Sequence, residues 1–132
     1  MYYVLPMFQA KVVDSFSAAH RLRGYQGDCE RLHGHNYRVE VTVQSHTIDG
    51  TGIVMDFRDL KTLLKKTLDE LDHRYLNDLH WFQEQNPSAE HIARAIFEHL
   101  SPSIPSPVTL KEVVVWENEA CCVSYSHQEE TA

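Results

Sequence analysis

The chain has 132 residues, with 12 Lys and Arg against 19 Asp and Glu, which gives a formal net charge of −7 with His neutral. This length suits one domain, and we expect a single domain over residues 1–132 with its core at about 8–125. The acidic balance argues against a nucleic-acid partner, because phosphate contacts need a surplus of Lys and Arg. No apolar run approaches the roughly 18 residues that a membrane span requires, so a membrane partner is not expected either.

Cysteine and histidine counts narrow the class further. Three Cys are too few for a disulfide framework, and their scarcity is typical of a reducing cytoplasm. The N-terminal segment lacks the basic region and apolar run of a signal peptide, so we expect a cytoplasmic protein. Cys121 and Cys122 are interpreted as small apolar fillers of a strand. Nine His is an unusual number, and it directs attention to metal binding and proton transfer.

Alternation of apolar and polar residues predicts four strands. Residues 8–20 and 35–45 have the period of a strand, and residues 108–117 and 120–125 form a second pair around a short turn. Phe16, Ala18 and His20 share one face of the first strand, since side chains at i and i+2 point the same way.

Helical spacing between these two pairs predicts two helices. Apolar residues recur at helical intervals from Phe57 to Leu71, after Asp56 as a plausible N-cap. The Asn-Pro-Ser segment at 86–88 announces a second helix, with its proline suited to the first turn. The order ββααββ predicts an α+β domain with an antiparallel four-stranded sheet and two helices on one face.

The densest chemical signal is the motif C-x-x-x-H-G-H from Cys29 to His35. His33 and His35 stand at i and i+2 on a predicted strand, so their rings project from one face and can grip one metal ion. His20 ends the preceding strand, and a hairpin of the two strands would bring it alongside. Three neutral imidazoles suit Zn²⁺, and three protein ligands with an open fourth position form the pattern of a catalytic zinc site.

Two other interpretations of this motif stay open. Cys29 as a fourth ligand would give a closed Cys-His₃ site, which is structural and not catalytic. Glu40 completes the H-x-H-x-x-x-x-E pattern of cupin-like metal enzymes. That pattern is disfavoured here, because Glu40 has the opposite parity to His35 and two predicted helices interrupt the strands.

Five other positions are candidates for acid–base chemistry or binding. Asp72 can orient the ring of the adjacent His73 and stabilise its charged form, although both residue types are also frequent at a helix end. Glu117 ends a strand on an apolar face, where a bidentate partner would be a guanidine-like heterocycle edge. Local rules favour Ser88 and Glu90 as a helix cap and a first-turn charge.

Taken together, the motifs resemble the 6-pyruvoyl-tetrahydropterin synthase / 6-carboxytetrahydropterin synthase family. The matching segments occur in family order and cover most of the chain: FSAAHRL (16–22), CERLHGHNY (29–37), GIVMDF (52–57), LDHRYLN (71–77), NPSAEHIA (86–93) and VVVWE (113–117). The resemblance implies the tunnelling fold (T-fold), in which ββααββ protomers assemble into barrels. It also implies a homohexamer with sites at the subunit interfaces.

The resemblance implies a role for each candidate. The implied site comprises zinc ligands His20, His33 and His35, catalytic residues Cys29, Asp72 and His73, and substrate-binding residues Glu117, Ser88 and Glu90. The Asp-His pair would come from a neighbouring subunit, and the strand-end glutamate would anchor the pterin ring. Serine stands at 88 where the family usually has threonine, so the hydroxyl is retained.

The implied substrate is 7,8-dihydroneopterin triphosphate. The three residues between Cys29 and His33 resemble the bacterial 6-carboxytetrahydropterin synthases of queuosine biosynthesis. Those enzymes release triphosphate and acetaldehyde and form 6-carboxy-5,6,7,8-tetrahydropterin. The alternative is a 6-pyruvoyl-tetrahydropterin synthase, which eliminates triphosphate alone and typically has a longer spacer. Arg21 and Arg23 beside His20 are candidates for contact with the phosphates.

Overall fold

A sheet covered on one face by two helices makes up the computed structural model, which describes residues 4–27 and 30–128. In chain order the elements are β1 (Phe8–His20), β2 (His33–Ser45), α1 (Phe57–Leu68), β3 (Arg74–Tyr75), α2 (Ala89–Leu100), β4 (Thr109–Trp116) and β5 (Cys122–Tyr125). The α+β class predicted from the sequence is therefore confirmed.

The sheet has five strands within the described residues, in the order β3-β1-β2-β4-β5. The four long strands pair antiparallel, as predicted. The additional strand β3 has two residues and runs parallel to β1, with Ala18 opposite Arg74 and Ala19 opposite Tyr75. The prediction of four strands missed it, because two residues are too few to show a period-2 pattern.

The β1–β2 hairpin has one unbroken register along its whole length. Phe16 lies opposite Tyr37, Ala18 opposite His35 and His20 opposite His33. β2 begins at His33, two residues before the predicted start. Because paired residues in a sheet share a face, this register alone places three His side chains together at one end of the hairpin.

Both helices begin at a polar cap. The Asp56 carboxylate accepts a hydrogen bond from the Arg58 N–H at 2.8 Å, and the Ser88 hydroxyl accepts one from the His91 N–H at 3.2 Å. The proline predicted for the first turn of α2, Pro87, instead precedes the cap. The first helix ends at Leu68, before Leu71.

The hydrophobic core lies between the helices and one face of the sheet. α1 packs on β1, and α2 packs on β4 and β5. Val41 of the sheet, Leu64 of α1 and Ile92 of α2 are all fully buried. His20, at the end of β1, is also buried. No helix in the described part of the chain is long and apolar enough to cross a membrane.

Candidate metal centre and active site

Three imidazole rings meet at the end of the β1–β2 hairpin. The ring centroids of His20, His33 and His35 are 4.5, 5.1 and 4.8 Å apart in their three pairs. One nitrogen from each ring lies within 4.8 Å of the others. His20 is 1% exposed, while the other two rings are partly buried. The sequence-predicted ligand residues are thus brought together by the hairpin register.

Main-chain carbonyls fix which nitrogen of two rings carries the proton. The His20 Nδ1–H donates to the Pro87 carbonyl at 2.7 Å, and the His33 Nδ1–H donates to the Arg31 carbonyl at 2.7 Å. A carbonyl can only accept, so in each neutral ring Nε2 bears a lone pair. These two Nε2 atoms lie 2.9 Å apart. Two facing acceptors at this distance repel each other unless a cation lies between them.

The third ring contributes an unsatisfied nitrogen. His35 Nε2 is buried and has no hydrogen-bond partner among the described residues. Buried polar atoms without partners are rare in folded proteins, and each calls for an explanation such as a bound ion. A metal ion bound by all three Nε2 atoms would satisfy this atom and remove the repulsion between the other two.

The protonation of the rings suits metal binding. Burial lowers the pKa of His20, and it does so more strongly than the Pro87 carbonyl, which accepts the ring proton, raises it. Burial also lowers the pKa of His35, partly opposed by the Glu117 carboxylate. Both imidazoles are therefore neutral near pH 7, and the neutral imidazole is the form that ligates a metal. A donor set of three imidazole nitrogens fits Zn²⁺.

Tyr37 packs against the histidine cluster. Its hydroxyl lies 3.2 Å from His20 Nδ1, and its ring stacks on Phe16 with centroids 4.7 Å apart. Burial raises the pKa of the Tyr37 hydroxyl, so this group stays a neutral phenol. Tyr37 thus contacts the His20 ring without adding charge to the site.

Glu117 lies between two cavities next to the cluster. The larger has a volume of about 430 Å³, and its lining includes His35, Asn36, Trp116 and Glu117. The smaller has a volume of about 100 Å³ and is lined by Glu117 together with Glu90. The geometry therefore gathers the histidine cluster, Glu117 and Glu90 around neighbouring spaces.

Ser88 has a structural task in this arrangement. Its hydroxyl caps α2, as the local reading of the sequence predicted. Glu90 stands in the first turn of the same helix, where a negative charge interacts favourably with the helix dipole. Its side chain is exposed and faces the cavity that Glu117 also lines.

Glu40 is engaged away from the histidines, which removes the cupin-like interpretation. Its carboxylate accepts a hydrogen bond from Trp116 Nε1 at 3.1 Å and lies 3.8 Å from the Arg38 guanidinium. That guanidinium also lies 4.7 Å from the centroid of the Trp116 ring. The opposite parity of Glu40 and His35 therefore has the expected consequence.

Asp72 and His73 form a pair at the edge of the sheet. The Asp72 carboxylate lies 2.9 Å from His73 Nδ1, and the His73 side chain is 81% exposed. His73 lines a cavity with Ser17 and Asn36 on β1 and β2. No hydrogen bond within residues 4–27 and 30–128 joins the pair to the three clustered rings.

The cysteines divide into two cases. The predicted catalytic thiol, Cys29, lies outside the described residues. Cys121 and Cys122 are both exposed, so their interpretation as apolar fillers is wrong. Cys121 lies in the turn before β5, where its N–H donates to Asn118 Oδ1 at 3.0 Å. A turn residue has no core to fill.

Arg23 does not have the free guanidinium that phosphate contact would need. It donates to the carbonyls of Phe82 at 2.6 Å and Gln85 at 2.9 Å, so it holds the loop before α2. Arg21 is exposed. Sequence reasoning also missed the carbonyls of Pro87 and Arg31, because a main-chain acceptor has no residue-type signature.

The family model described as 6-pyruvoyl tetrahydropterin synthase matches residues 9–128. A 6-carboxy-5,6,7,8-tetrahydropterin synthase of Synechocystis sp. is 44% identical over 91 residues, which cover 65% of this chain and 69% of the relative. A dihydroneopterin monophosphate aldolase of Pyrococcus furiosus is 39% identical over 103 residues, covering 78% of this chain and 83% of the relative.

Solved structures agree on the fold. The 6-pyruvoyl tetrahydropterin synthase of Caenorhabditis elegans superposes with a TM-score of 0.83 at 32% identity, covering 96% of this chain and 100% of that one. The predicted tunnelling fold is thereby confirmed. With a family model spanning nearly all the described residues and relatives of this similarity, the chain belongs to the 6-pyruvoyl tetrahydropterin synthase family, and its relatives include pterin synthases of both the 6-carboxy and the 6-pyruvoyl type.

Proposed function

We propose that the protein is a zinc-dependent carbon–carbon lyase. Its substrates are 7,8-dihydroneopterin triphosphate and water, and its products are 6-carboxy-5,6,7,8-tetrahydropterin, acetaldehyde and triphosphate. One observation carries the proposal: ring nitrogens of His20, His33 and His35 lie within 4.8 Å of one another, beside a cavity that His35 and Glu117 line.

His20, His33 and His35 would hold the zinc ion. When bound, zinc would act as a Lewis acid that lowers the cost of negative charge on the side-chain oxygens of the substrate. The rings reach this arrangement with their protons already on Nδ1, at least for His20 and His33. The imidazole rings of His20 and His33 therefore need little rearrangement to bind the ion.

Glu117 would anchor the pterin ring. An ionised carboxylate can accept two parallel hydrogen bonds from the 2-amino group and the ring N–H of a pterin, in the manner of a guanidine edge. The cavity of about 430 Å³ beside it falls in the usual range of small-molecule sites, roughly 300–1,000 Å³. Ser88 and Glu90 would contribute to substrate binding from the start of α2, Glu90 through the smaller cavity that Glu117 also lines.

Cys29, Asp72 and His73 would move the protons. A thiol close to a bound cation has a lowered pKa, which favours the thiolate as a base. His73, oriented by Asp72, would supply the complementary acid or base. The exposed position of His73 at a sheet edge suits a pair that serves the site of a neighbouring subunit. We propose a homohexamer from the resemblance to the family.

The choice of product depends on the spacing between Cys29 and His33. Three intervening residues favour 6-carboxytetrahydropterin formation, the reaction of queuosine biosynthesis, over 6-pyruvoyl-tetrahydropterin formation. The aldolase of Pyrococcus furiosus adds a third candidate, since a retro-aldol cleavage without elimination would leave the phosphate on the released two-carbon aldehyde. The proposal also includes a cytoplasmic location, which fractionation would test.

Product analysis separates these reactions. Zinc-loaded protein is incubated with 7,8-dihydroneopterin triphosphate, and free triphosphate and acetaldehyde are measured together. Equal amounts of both support the proposal. Triphosphate without acetaldehyde would show the pyruvoyl-forming reaction, and a phosphorylated two-carbon aldehyde would show an aldolase; either result contradicts the proposed product.

The variant Cys29→Ala separates catalysis from a structural zinc site. In the proposed enzyme this change abolishes turnover and leaves the zinc content at the wild-type level, because the three imidazoles hold the ion. Loss of zinc from this variant would instead identify the thiol as a fourth ligand. Cys121→Ala is the matched control for the zinc measurement, since that thiol is exposed in the turn before β5 and is not among the clustered ligands.

A further inference from the structure

The loop before α2 is tied to the chain segment that follows β1. The Asn86 side chain makes two hydrogen bonds with the main chain of Arg23: its Oδ1 accepts from the N–H at 2.8 Å, and its Nδ2 donates to the carbonyl at 2.9 Å. A side-chain amide that bonds both groups of one residue acts like a paired strand residue. It fixes the position of residue 86 relative to residue 23.

The same contact is reinforced from the other direction. The Arg23 guanidinium donates to the carbonyls of Phe82 and Gln85, and its Nε lies 3.3 Å from Asn86 Oδ1. The Asn86 carbonyl in turn accepts the His91 Nδ1–H at 2.6 Å. Both ends of Asn86 are therefore held, and the residue has little freedom to move.

The residue that follows Asn86 contacts the metal centre. Pro87 is buried, and its carbonyl accepts the His20 Nδ1–H at 2.7 Å. The chain thus leaves β1 at His20, is tied at Arg23 to Asn86, and returns one residue later to the ring of His20. The hydrogen bond between His20 Nδ1 and the Pro87 carbonyl orients the imidazole ring, and it therefore sets the direction in which His20 Nε2 points.

We infer that Asn86 is a positioning residue of the metal centre: its tether to Arg23 holds the Pro87 carbonyl that orients the His20 ring. This inference rests on the proposed zinc site. Partners that orient a ligating histidine typically contribute about 10–100-fold to metal affinity. Asn86 touches neither metal nor substrate in this arrangement, so it would act on the ion only through Pro87 and His20.

Zinc affinity of the full-length protein tests the inference directly. The metal is removed with a chelator, and the zinc Kd of each variant is measured by competition with a chromophoric chelator. Asn86→Ala should raise the zinc Kd about 10–100-fold. Its cobalt(II)-substituted form should also show altered visible d–d bands, since these respond to the geometry of the imidazole ligands.

A matched control is available in Asn77. Its amide makes the same two hydrogen bonds with the main chain of Arg21, at 2.9 and 3.0 Å. The residue after Asn77, however, is not the one whose carbonyl accepts from the His20 ring. Asn77→Ala should lower the stability of the metal-free protein, measured by urea denaturation, and leave the zinc Kd unchanged.

An equal loss of zinc affinity in the two variants would overturn the inference, as would an unchanged Kd in Asn86→Ala.

A second variant covers the case in which Asn86→Ala does not fold. Asn86→Asp keeps the acceptor for the Arg23 N–H but sets a carboxylate oxygen against the Arg23 carbonyl, so it should also weaken zinc binding. A wild-type Kd in this variant would contradict the inference. None of these measurements uses turnover, so a wild-type protein that binds zinc but makes a different product would contradict the proposed function alone.

Discussion

The Asp72 carboxylate is bound to the main chain of Ser17, across the edge of β1. Its Oδ1 accepts the Ser17 N–H at 2.9 Å, and the Ser17 carbonyl accepts the His73 N–H at 2.6 Å. The Asp-His pair is therefore docked on the strand that leads to His20, three residues further on. β3 follows directly, so the same contacts begin the parallel pairing of β3 with β1.

This docking predicts an acid-sensitive contribution to stability. Hydrogen bonds from the Ser17 N–H and the His73 ring hold the pKa of Asp72 below its ordinary value of 3.8. A carboxyl whose pKa is lower in the folded than in the unfolded state stabilises the fold above its unfolded pKa. That contribution is lost as the pH falls through the folded pKa.

Asp72→Asn should therefore lower the free energy of unfolding near neutral pH, with a difference that shrinks below about pH 4. Asparagine keeps the oxygen that accepts from the Ser17 N–H, so the variant removes the charge and not the shape. Urea denaturation of both proteins at a series of pH values measures the difference. Two curves that stay parallel down to acid pH would show that the charge is not the stabilising feature.

The left-handed backbone conformation of His73 allows its effect on folding to be measured separately from its proposed catalytic role. Its φ angle is +58°, the left-handed region that β-branched residues strongly disfavour and asparagine tolerates. His73→Asn should fold with nearly wild-type stability and lose turnover by about 10²–10⁴-fold, the usual contribution of a general acid or base. His73→Val should in addition lose about 1–3 kcal/mol of stability.

Thermal denaturation and steady-state kinetics on the two variants check this prediction. Wild-type turnover in His73→Asn would remove the histidine from the mechanism. Equal stability of the asparagine and valine variants would show that residue 73 does not hold the left-handed conformation in solution.

The histidine cluster could be predicted from sequence because its geometry is local to one hairpin. Clear alternation in the two strands fixes the faces of His20, His33 and His35, and antiparallel pairing of the strands then brings the three rings together. The capping roles of Asp56 and Ser88 follow from equally local rules.

The supporting contacts could not be predicted in this way. Asn86 and Arg23 are 63 residues apart, and Asp72 and Ser17 are 55 residues apart. Asparagine beside proline suggests a turn by local rules, and nothing in that pattern specifies a distant main-chain partner. The left-handed conformation of His73 and the two-residue strand after it arise from these long-range contacts, so the sequence pattern contains no signal for them.

The metal centre predicts a stoichiometric effect of zinc on stability. A ligand that binds only the folded state at about 100 times its Kd adds about 2.7 kcal/mol to the free energy of unfolding. Zinc should give the wild-type protein this increment, and His35→Ala should lose it together with the bound metal. His46→Ala is the control, since His46 donates to the Pro6 carbonyl outside the cluster.

Metal analysis after gel filtration and urea denaturation with and without zinc measure both effects. One zinc per chain in the wild type and in His46→Ala, and none in His35→Ala, is the expected pattern. Zinc retained at full stoichiometry by His35→Ala would place the metal elsewhere in the protein.

Replacing Glu117 should weaken substrate binding without disturbing the fold. In the proposed complex its carboxylate accepts two hydrogen bonds from the pterin, and Glu117→Gln replaces one acceptor oxygen with a donor that faces a substrate N–H. Hydrogen bonds to a charged group contribute about 1.5–3 kcal/mol, which corresponds to a rise in KM of about 10–100-fold. Zinc content should not change, since Glu117 is not among the three clustered ligands.

Glu112→Gln is the matched control, because Glu112 lies on β4, the strand that ends just before Glu117, and pairs in register with Thr42, away from the cluster. It removes the same charge and should leave KM unchanged. An equal rise of KM in both variants would indicate that the pocket responds to net charge and not to a contact with Glu117. An unchanged KM in Glu117→Gln would mean that the pterin ring is anchored by another group.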